Sequence, residues 1–330
     1  MRVSNFIRLL GVTALMSGLG VAIALPAGAS PLPGSGHQGS WFHQGSWRFP
    51  GHGPFPSPTT CTGTLDAPGV LAGTYHSSVV ISGVCAVDGG AATIFGNLTL
   101  SPGSVLNATF ALNDSPGGSG PSSLTVLGSV TVLSNAVLGL GCEANAQPCT
   151  DDPNAATGGT LAGSNRVFGG INAWSPLGVI VHASTINGSV NEFGGGGGLS
   201  CAVPTSGIFS LLQSPVFSDY EDNSIGGNLV VTGLQTCWMG MLRNNVRGTI
   251  VDVKNTFGDP DANEALTNTV QQDMWCFDNS PIVQYGDSGG SPNQVGGHAL
   301  GECAFNVLQP DPAPSPGNPA GPLTPISVKS

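Results

Sequence analysis

The chain has 330 residues, of which 51 are Gly and 26 Pro, and only 8% are charged. This composition excludes coiled coils and helical bundles, which need Ala, Glu, Lys and Leu at helical spacing, and the strict Gly period of collagen is absent. An apolar share of 40% sets the chain apart from a disordered one, and a net charge of −11 argues against nucleic acid or an anionic membrane as partner.

Residues 1–29 read as an export signal. Arg2 and Arg8 form a basic start, Leu9 to Leu25 an apolar stretch, and Ala27-Gly28-Ala29 a small-x-small cleavage site. The competing reading is a membrane anchor of about 17 apolar residues, short for a bilayer span; the cleavage site favours removal. Six basic residues then face nineteen acidic ones, a charge of −13. No later apolar run is long enough to span a bilayer, and no Leu-Pro-x-Thr-Gly sorting motif follows. The expected location is secreted and extracellular.

Residues 30–60 are rich in Gly, Pro, Ser, His and Trp, and duplicate His37-Gln-Gly-Ser-Trp41 as His43-Gln-Gly-Ser-Trp47. With His52 they offer imidazoles to a metal and indoles to a sugar. Too little apolar surface is present to offset chain entropy, so a disordered spacer is expected. Residues 308–330, with seven prolines from Pro310 to Pro325, read as an extended, disordered tail.

Between them, residues 61–307 repeat a short unit. It appears as Thr93-Ile-Phe-Gly96-Asn-Leu98, Thr125-Val-Leu-Gly128-Ser-Val130, Thr185-Ile-Asn-Gly188-Ser-Val190, Ser224-Ile-Gly-Gly227-Asn-Leu229 and Asn245-Val-Arg-Gly248-Thr-Ile250. Looser copies end at Gly83 and Gly297. The glycines stand 32, 60, 39 and 21 residues apart, as loops of unequal length between equivalent strands would place them. Leu124, Val126, Gly128, Val130 and Val132 share one face of an alternating pattern, as do Leu106, Ala108, Phe110 and Leu112. Gly and Asn suit the corners because both tolerate positive φ. Asp261-Ala-Asn-Glu264, followed by Leu266, Val270 and Met274, fits a capped short helix, and the same stretch fits a degenerate strand repeat.

Hairpin signals of the Asn-Gly or Asp-Gly kind are scarce, which weighs against a sandwich or barrel. The expected fold class is all-β: a single right-handed parallel β-helix (a solenoid), disulfide-linked, with irregular loops. About 25 residues per coil over this region gives roughly ten coils and a rod of about 45–50 Å. Eight cysteines lie within it, an even number that suggests four disulfides. Stacked local units favour sequence neighbours, hence Cys61–Cys85, Cys142–Cys149, Cys201–Cys237 and Cys276–Cys303. Zinc is the weaker reading, because paired Cys-x-x-Cys knuckles are missing.

The runs Tyr220-Glu-Asp-Asn-Ser-Ile-Gly-Gly-Asn-Leu-Val-Val-Thr-Gly233, Asn279-Ser-Pro281 and Gly286-Asp-Ser-Gly-Gly-Ser-Pro-Asn293 resemble secreted, Gly-rich β-helical proteins of high-GC Gram-positive bacteria. The resemblance covers roughly residues 200–305. It implies fold and export and carries over no active site. The repeat is also similar to that of bactofilin-like polymer-forming proteins, which are mostly cytosolic and lack disulfides.

Gly286-Asp287-Ser288-Gly289-Gly290 resembles the nucleophile loop of trypsin-like serine proteases. That resemblance implies Ser288 as nucleophile and the N–H groups of Gly286 and Ser288 as oxyanion donors. His182 would then be the base, with Asp252 to orient it, and His298 is the nearer alternative base. His182 lacks the Thr-Ala-Ala-His-Cys context and stands only 106 residues before Ser288, short for a double barrel. A Gly-rich turn with capping Asp and Ser side chains is the expected reading. Asp259, Asp261 and Asn263 open like an EF-hand loop, but Glu264 occupies the required Gly position and Val270 the required Glu. Only a looser Ca²⁺ site survives, with Asp219, Glu221 and Asp222 from another coil, and a solvated loop is the expected reading. No catalytic residue, metal or cofactor is expected. The functional expectation is a secreted, non-enzymatic surface or matrix protein presenting its loops to a glycan or surface protein. The alternative is a secreted hydrolase, either a serine protease using Ser288 or a glycan-active β-helix.

Overall fold

Short runs of β-branched and aliphatic residues, cut every few residues by Gly, Asn or Ser, favour brief extended segments and cannot sustain a helix. The computed structural model, which describes residues 57–144, 146–284 and 290–305, is accordingly built of strands two to five residues long, with one α-helical turn, Ile208–Leu211, and two 3₁₀ turns, Ala155–Thr157 and Glu302–Ala304, among the described residues. The stretch read as an export signal, the spacer up to residue 56, the Ser288 loop and the Pro-rich tail lie outside the described residues.

Every named strand pairing is parallel. The strands form three main sheets of ten, eight and nine strands, here A, B and C. The chain visits A, B and C in turn, so each strand pairs with its equivalent one circuit later. Ala91–Ile94, for instance, pairs in C with Ser123–Val126, and Leu98–Leu100 pairs in A with Val130–Val132. The two antiparallel contacts, Leu112–Pro121 and Cys142–Gly163, are isolated bridges. At about 4.8 Å per strand, ten strands of sheet A extend about 43 Å.

Gly96, Gly128, Gly188, Gly227 and Gly248 all fall at one corner, between a C strand and the next A strand. Their backbones stack: the Gly128 N–H donates to Gly96 O at 3.1 Å, Gly227 to Gly188 at 3.0 Å and Gly248 to Gly227 at 2.9 Å. None of the five has positive φ. Glycine is required there by close approach, since a Cβ on Gly128 would sit 2.6 Å from Gly96 O and one on Gly248 2.7 Å from Gly227 O. The positive-φ residues occupy the other two corners, as Ala183, Asp222, Arg243 and Thr267 after B strands and Lys254 and Asp278 after A strands.

Two readings need correction, and a third, open between helix and strand, is decided. Gly83 turns from an A strand into a B strand, so it belongs to a different corner from the other glycines. The strand containing Leu106 and Ala108 ends at Ala108, leaving Phe110 and Leu112 in an inserted loop. The capping box at Asp261–Glu264 forms no helix. Asn263–Leu266 is a strand of sheet B paired with Met239–Leu242, because the stacked backbone on one side supplies hydrogen bonds that outweigh a local cap.

Inward residues stack into columns. The β-branched residue of the repeat forms one, with Ile94, Val126, Val167, Ile186, Ile225, Val246 and Val270 at most 1% exposed. Each such side chain contributes about 1.5–3 kcal/mol of burial. The disulfides join Cys61–Cys85, Cys142–Cys149, Cys201–Cys237 and Cys276–Cys303. Cys142–Cys149 closes part of an insertion at 141–165, and Cys201 lies in a second insertion at 194–216. Disulfides fit an extracellular or otherwise oxidising compartment. Among the described residues no helix is long and apolar enough to cross a membrane.

Buried asparagines follow the positive-φ corner after sheet B. Asn223 Nδ2 donates to Asn244 Oδ1, Asn244 to Asn268 and Asn268 to Asn293, at 3.0, 3.0 and 2.9 Å. Each Oδ1 also receives the backbone N–H of the previous asparagine, and each Nδ2 also reaches a backbone carbonyl. The side chains thereby satisfy backbone groups that the corner strips of ladder partners.

Candidate functional site

His182 ends a B strand, and the alternation of that strand turns it to the outer side of the sheet. Its neighbour in register is Glu221, also at a strand end. Both are wholly buried. His182 Nδ1 lies 3.3 Å from Glu143 Oε1 and 3.9 Å from Glu221 Oε2, while Nε2 lies 3.2 Å from Asp219 Oδ2 in an ion-pair contact short of hydrogen-bond geometry. Arg243 closes the cluster, with Nη2 2.5 Å from Glu221 Oε2 and 2.7 Å from Asp222 Oδ2.

Burial opposes a charge on His182, but the carboxylates of Asp219, Glu143 and Glu221 outweigh it and push its pKa up to about 10. Burial and the negative charge of Asp219 push Glu221 up to about 8 against the pull of His182 and Arg243. An imidazolium held between acids in this way is a poor general base at neutral pH. Asp252, the orienting acid of the protease reading, faces the interior from sheet A, where burial raises it to about 7 and Asn255 donates to it at 2.6 Å. The structure therefore does not bring His182 and Asp252 together.

His298 is exposed, and Asp273 Oδ1 receives its backbone N–H at 2.8 Å with Nδ1 at 3.5 Å. Gly290 packs against Leu266 and Thr267, while Gly286, Asp287, Ser288 and Gly289 lie outside the described residues. Of the EF-like set, Asp259 and Asp261 share a hydrogen bond, and burial together with Asp259 raises Asp261 to about 7. Asn263 is instead turned toward Asp252 and donates to Pro281 O at 3.3 Å, so the three do not converge as ligands. Asp259 also lies close to the sulfurs of Cys201 and Cys237, but these are bonded to each other and offer no thiolate.

A second interior acid, Glu192, accepts hydrogen bonds from Ser218 Oγ at 2.9 Å and Tyr220 OH at 2.6 Å. Burial raises it to about 7 against those bonds.

The outer face of sheet A is of a different kind. From Val79–Ile81 to Ala299–Gly301 its outward positions are Val80, Thr99, Thr131, Asn172, Trp174, Asn191, Phe193, Val230, Thr232, Val251, Val253, Trp275, Phe277 and Leu300. None is charged and none is buried. Trp174 stacks on Phe193 with ring centroids 4.6 Å apart. Trp275 and Phe277 are each 41% exposed. Phe193, Thr232, Val253 and Phe277 occupy successive register positions, which separates the two aromatic pairs by about 14 Å along the sheet.

The acid–imidazole cluster was readable only after alignment on the corner glycines. His182, Glu221 and Leu242 each stand six residues before Gly188, Gly227 and Gly248. No protein family, curated protein or solved structure matches the chain.

Proposed function

We propose that this chain is a secreted, non-enzymatic surface or matrix protein whose strands wind as one right-handed parallel β-helix, and whose sheet A face binds a neutral polysaccharide. The handedness follows from the crossover rule for parallel strands, which strand-to-strand connections within one sheet obey almost without exception. Export is supported by the basic and apolar start of the sequence and by four disulfides.

The observation that carries the binding reading is the uncharged sheet A face of a chain of net charge −11, on which Trp174, Trp275 and Phe277 are exposed and Phe193 is half-buried against Trp174. Indole and phenyl faces carry negative quadrupole potential and attract the C–H faces of sugar rings, while Asn172 and Asn191 beside the first pair and Thr232 between the pairs meet hydroxyls. A flat uncharged surface suits a long neutral polymer, and an acidic glycan would be repelled by the rest of the chain. The non-enzymatic part is supported by the place of His182, which is wholly buried among carboxylates on sheet B, apart from Asp252 on sheet A.

Co-sedimentation of the purified chain with insoluble neutral glucans and chitin tests this reading. Trp174→Ala and Trp275→Ala are each expected to weaken binding about tenfold, the effect of losing a central aromatic contact. Binding should not release reducing ends, and a fluorophosphonate should not label the protein. Labelling abolished by Ser288→Ala would instead establish the serine hydrolase.

A further inference from the structure

We propose that Glu143, His182 and Glu221 form a binding site for one divalent transition-metal ion of the Zn²⁺ class. One donor atom from each lies within 4.8 Å of the other two. The separations of 3.3 Å from His182 Nδ1 to Glu143 and 3.9 Å to Glu221 approach those around a tetrahedral ion. Bonds of about 2.0–2.2 Å to nitrogen and oxygen set donors about 3.4 Å apart.

Three further observations separate this group from an ordinary acidic patch. Glu221 is wholly buried and its Oε1 has no hydrogen-bond partner, as is also true of Asp219 Oδ1. Asp219 stands on the far side of the imidazole, 3.2 Å from Nε2, where a metal-bound histidine ordinarily has the carboxylate that orients its ring. Four carboxylates (Glu143, Asp219, Glu221 and Asp222) outnumber the two cations among them, Arg243 and the His182 imidazolium, and a divalent ion would replace the proton on His182 Nδ1.

Arg243 already lies along Glu221 and 4.0 Å from Glu143. Its side chain is 36% exposed and makes three contacts with Asp222 through Nε and Nη2. It can therefore move off Glu221 and keep Asp222. Glu143, 20% exposed, gives an entry path. Imidazole with carboxylates selects Zn²⁺ and its neighbours, because Ca²⁺ and Mg²⁺ take oxygen ligands almost alone. This inference does not depend on polysaccharide binding.

The test is titration of the chelator-treated full chain with Co²⁺, read by its visible absorption, followed by competition with Zn²⁺ and Ca²⁺. It is run in parallel on a chain carrying His37→Ala, His43→Ala and His52→Ala, which removes the N-terminal imidazoles. One equivalent of Co²⁺ should bind in both chains, yield to Zn²⁺ and resist excess Ca²⁺. Glu143→Gln, at the rim, should weaken it tenfold or more, and His182→Asn should abolish the visible band. Loss of the band in the triple-His variant, displacement by Ca²⁺, or undiminished affinity in Glu143→Gln would overturn the site.

Discussion

Asn244→Ala is expected to cost about 3–5 kcal/mol of unfolding free energy, the sum of lost hydrogen bonds and newly unpaired buried groups. The Asn244 side chain receives the Asn223 amide N–H at 3.2 Å and its Nδ2 at 3.0 Å, and donates to Tyr220 O at 2.7 Å and Asn268 Oδ1 at 3.0 Å. Alanine keeps the backbone and removes all four bonds. With the residue 1% exposed, no water replaces them cheaply. Asn187→Ala, at an exposed corner whose backbone N–H already donates to Val167 O, is the matched control and should stay within about 0.5 kcal/mol. Urea denaturation of the two variants gives the comparison. A loss below about 1 kcal/mol for Asn244→Ala would mean that the asparagine column is not a stabilising element.

Stability is expected to fall as the pH rises from about 5 to 8, with Glu192 as a main cause. In the unfolded chain Glu192 loses its proton near its ordinary value of 4.5, whereas burial holds it in the folded chain to about 7. Between those values the folded state binds more protons than the unfolded one, so stability declines with pH, then levels off above the folded value. The full difference is on the order of 3 kcal/mol. Asp252, raised by burial from 3.8 to about 7, acts in the same direction. His182 does too: its contribution is complete below the unfolded value of 6.5 and is lost as the pH approaches 10. Glu192→Gln keeps partners for Ser218 and Tyr220 and removes one of these titrations. Thermal melting from pH 5 to 8 should then show a shallower slope than the parent, with the variant the more stable protein above pH 7. An unchanged slope would assign the pH dependence elsewhere.

The parallel strand architecture was legible because the repeat is short and its glycine is forced. Two stacked backbones meet at Gly128 and Gly96 too closely for a side chain, and five copies of the unit declare that corner. Gly169 occupies the same corner, and Val167-Phe-Gly-Gly-Ile171 matches the unit. The apparent gap of 60 residues is thus two circuits, one of them enlarged by the 141–165 insertion. Asn tolerates the left-handed conformation, yet in Asp222-Asn223, Arg243-Asn244 and Thr267-Asn268 it is the residue before the asparagine that adopts it. Their hydrogen bonding runs between circuits, which local propensity does not register. The same holds for the charged cluster: Glu143 comes from an insertion, His182, Asp219 and Glu221 from adjacent strands, and Arg243 from the next corner. Only the register between circuits brings them together.

Hydroxyl-radical footprinting of the purified chain, free and saturated with the neutral polysaccharide that it sediments with, tests the central claim most directly. The account predicts protection at Trp174, Phe193, Trp275 and Phe277, which line one face of sheet A. Leu199 and Leu211, exposed in the 194–216 insertion, should remain as reactive as in the free chain. Protection confined to the insertions, with the four aromatic residues unchanged, would contradict it.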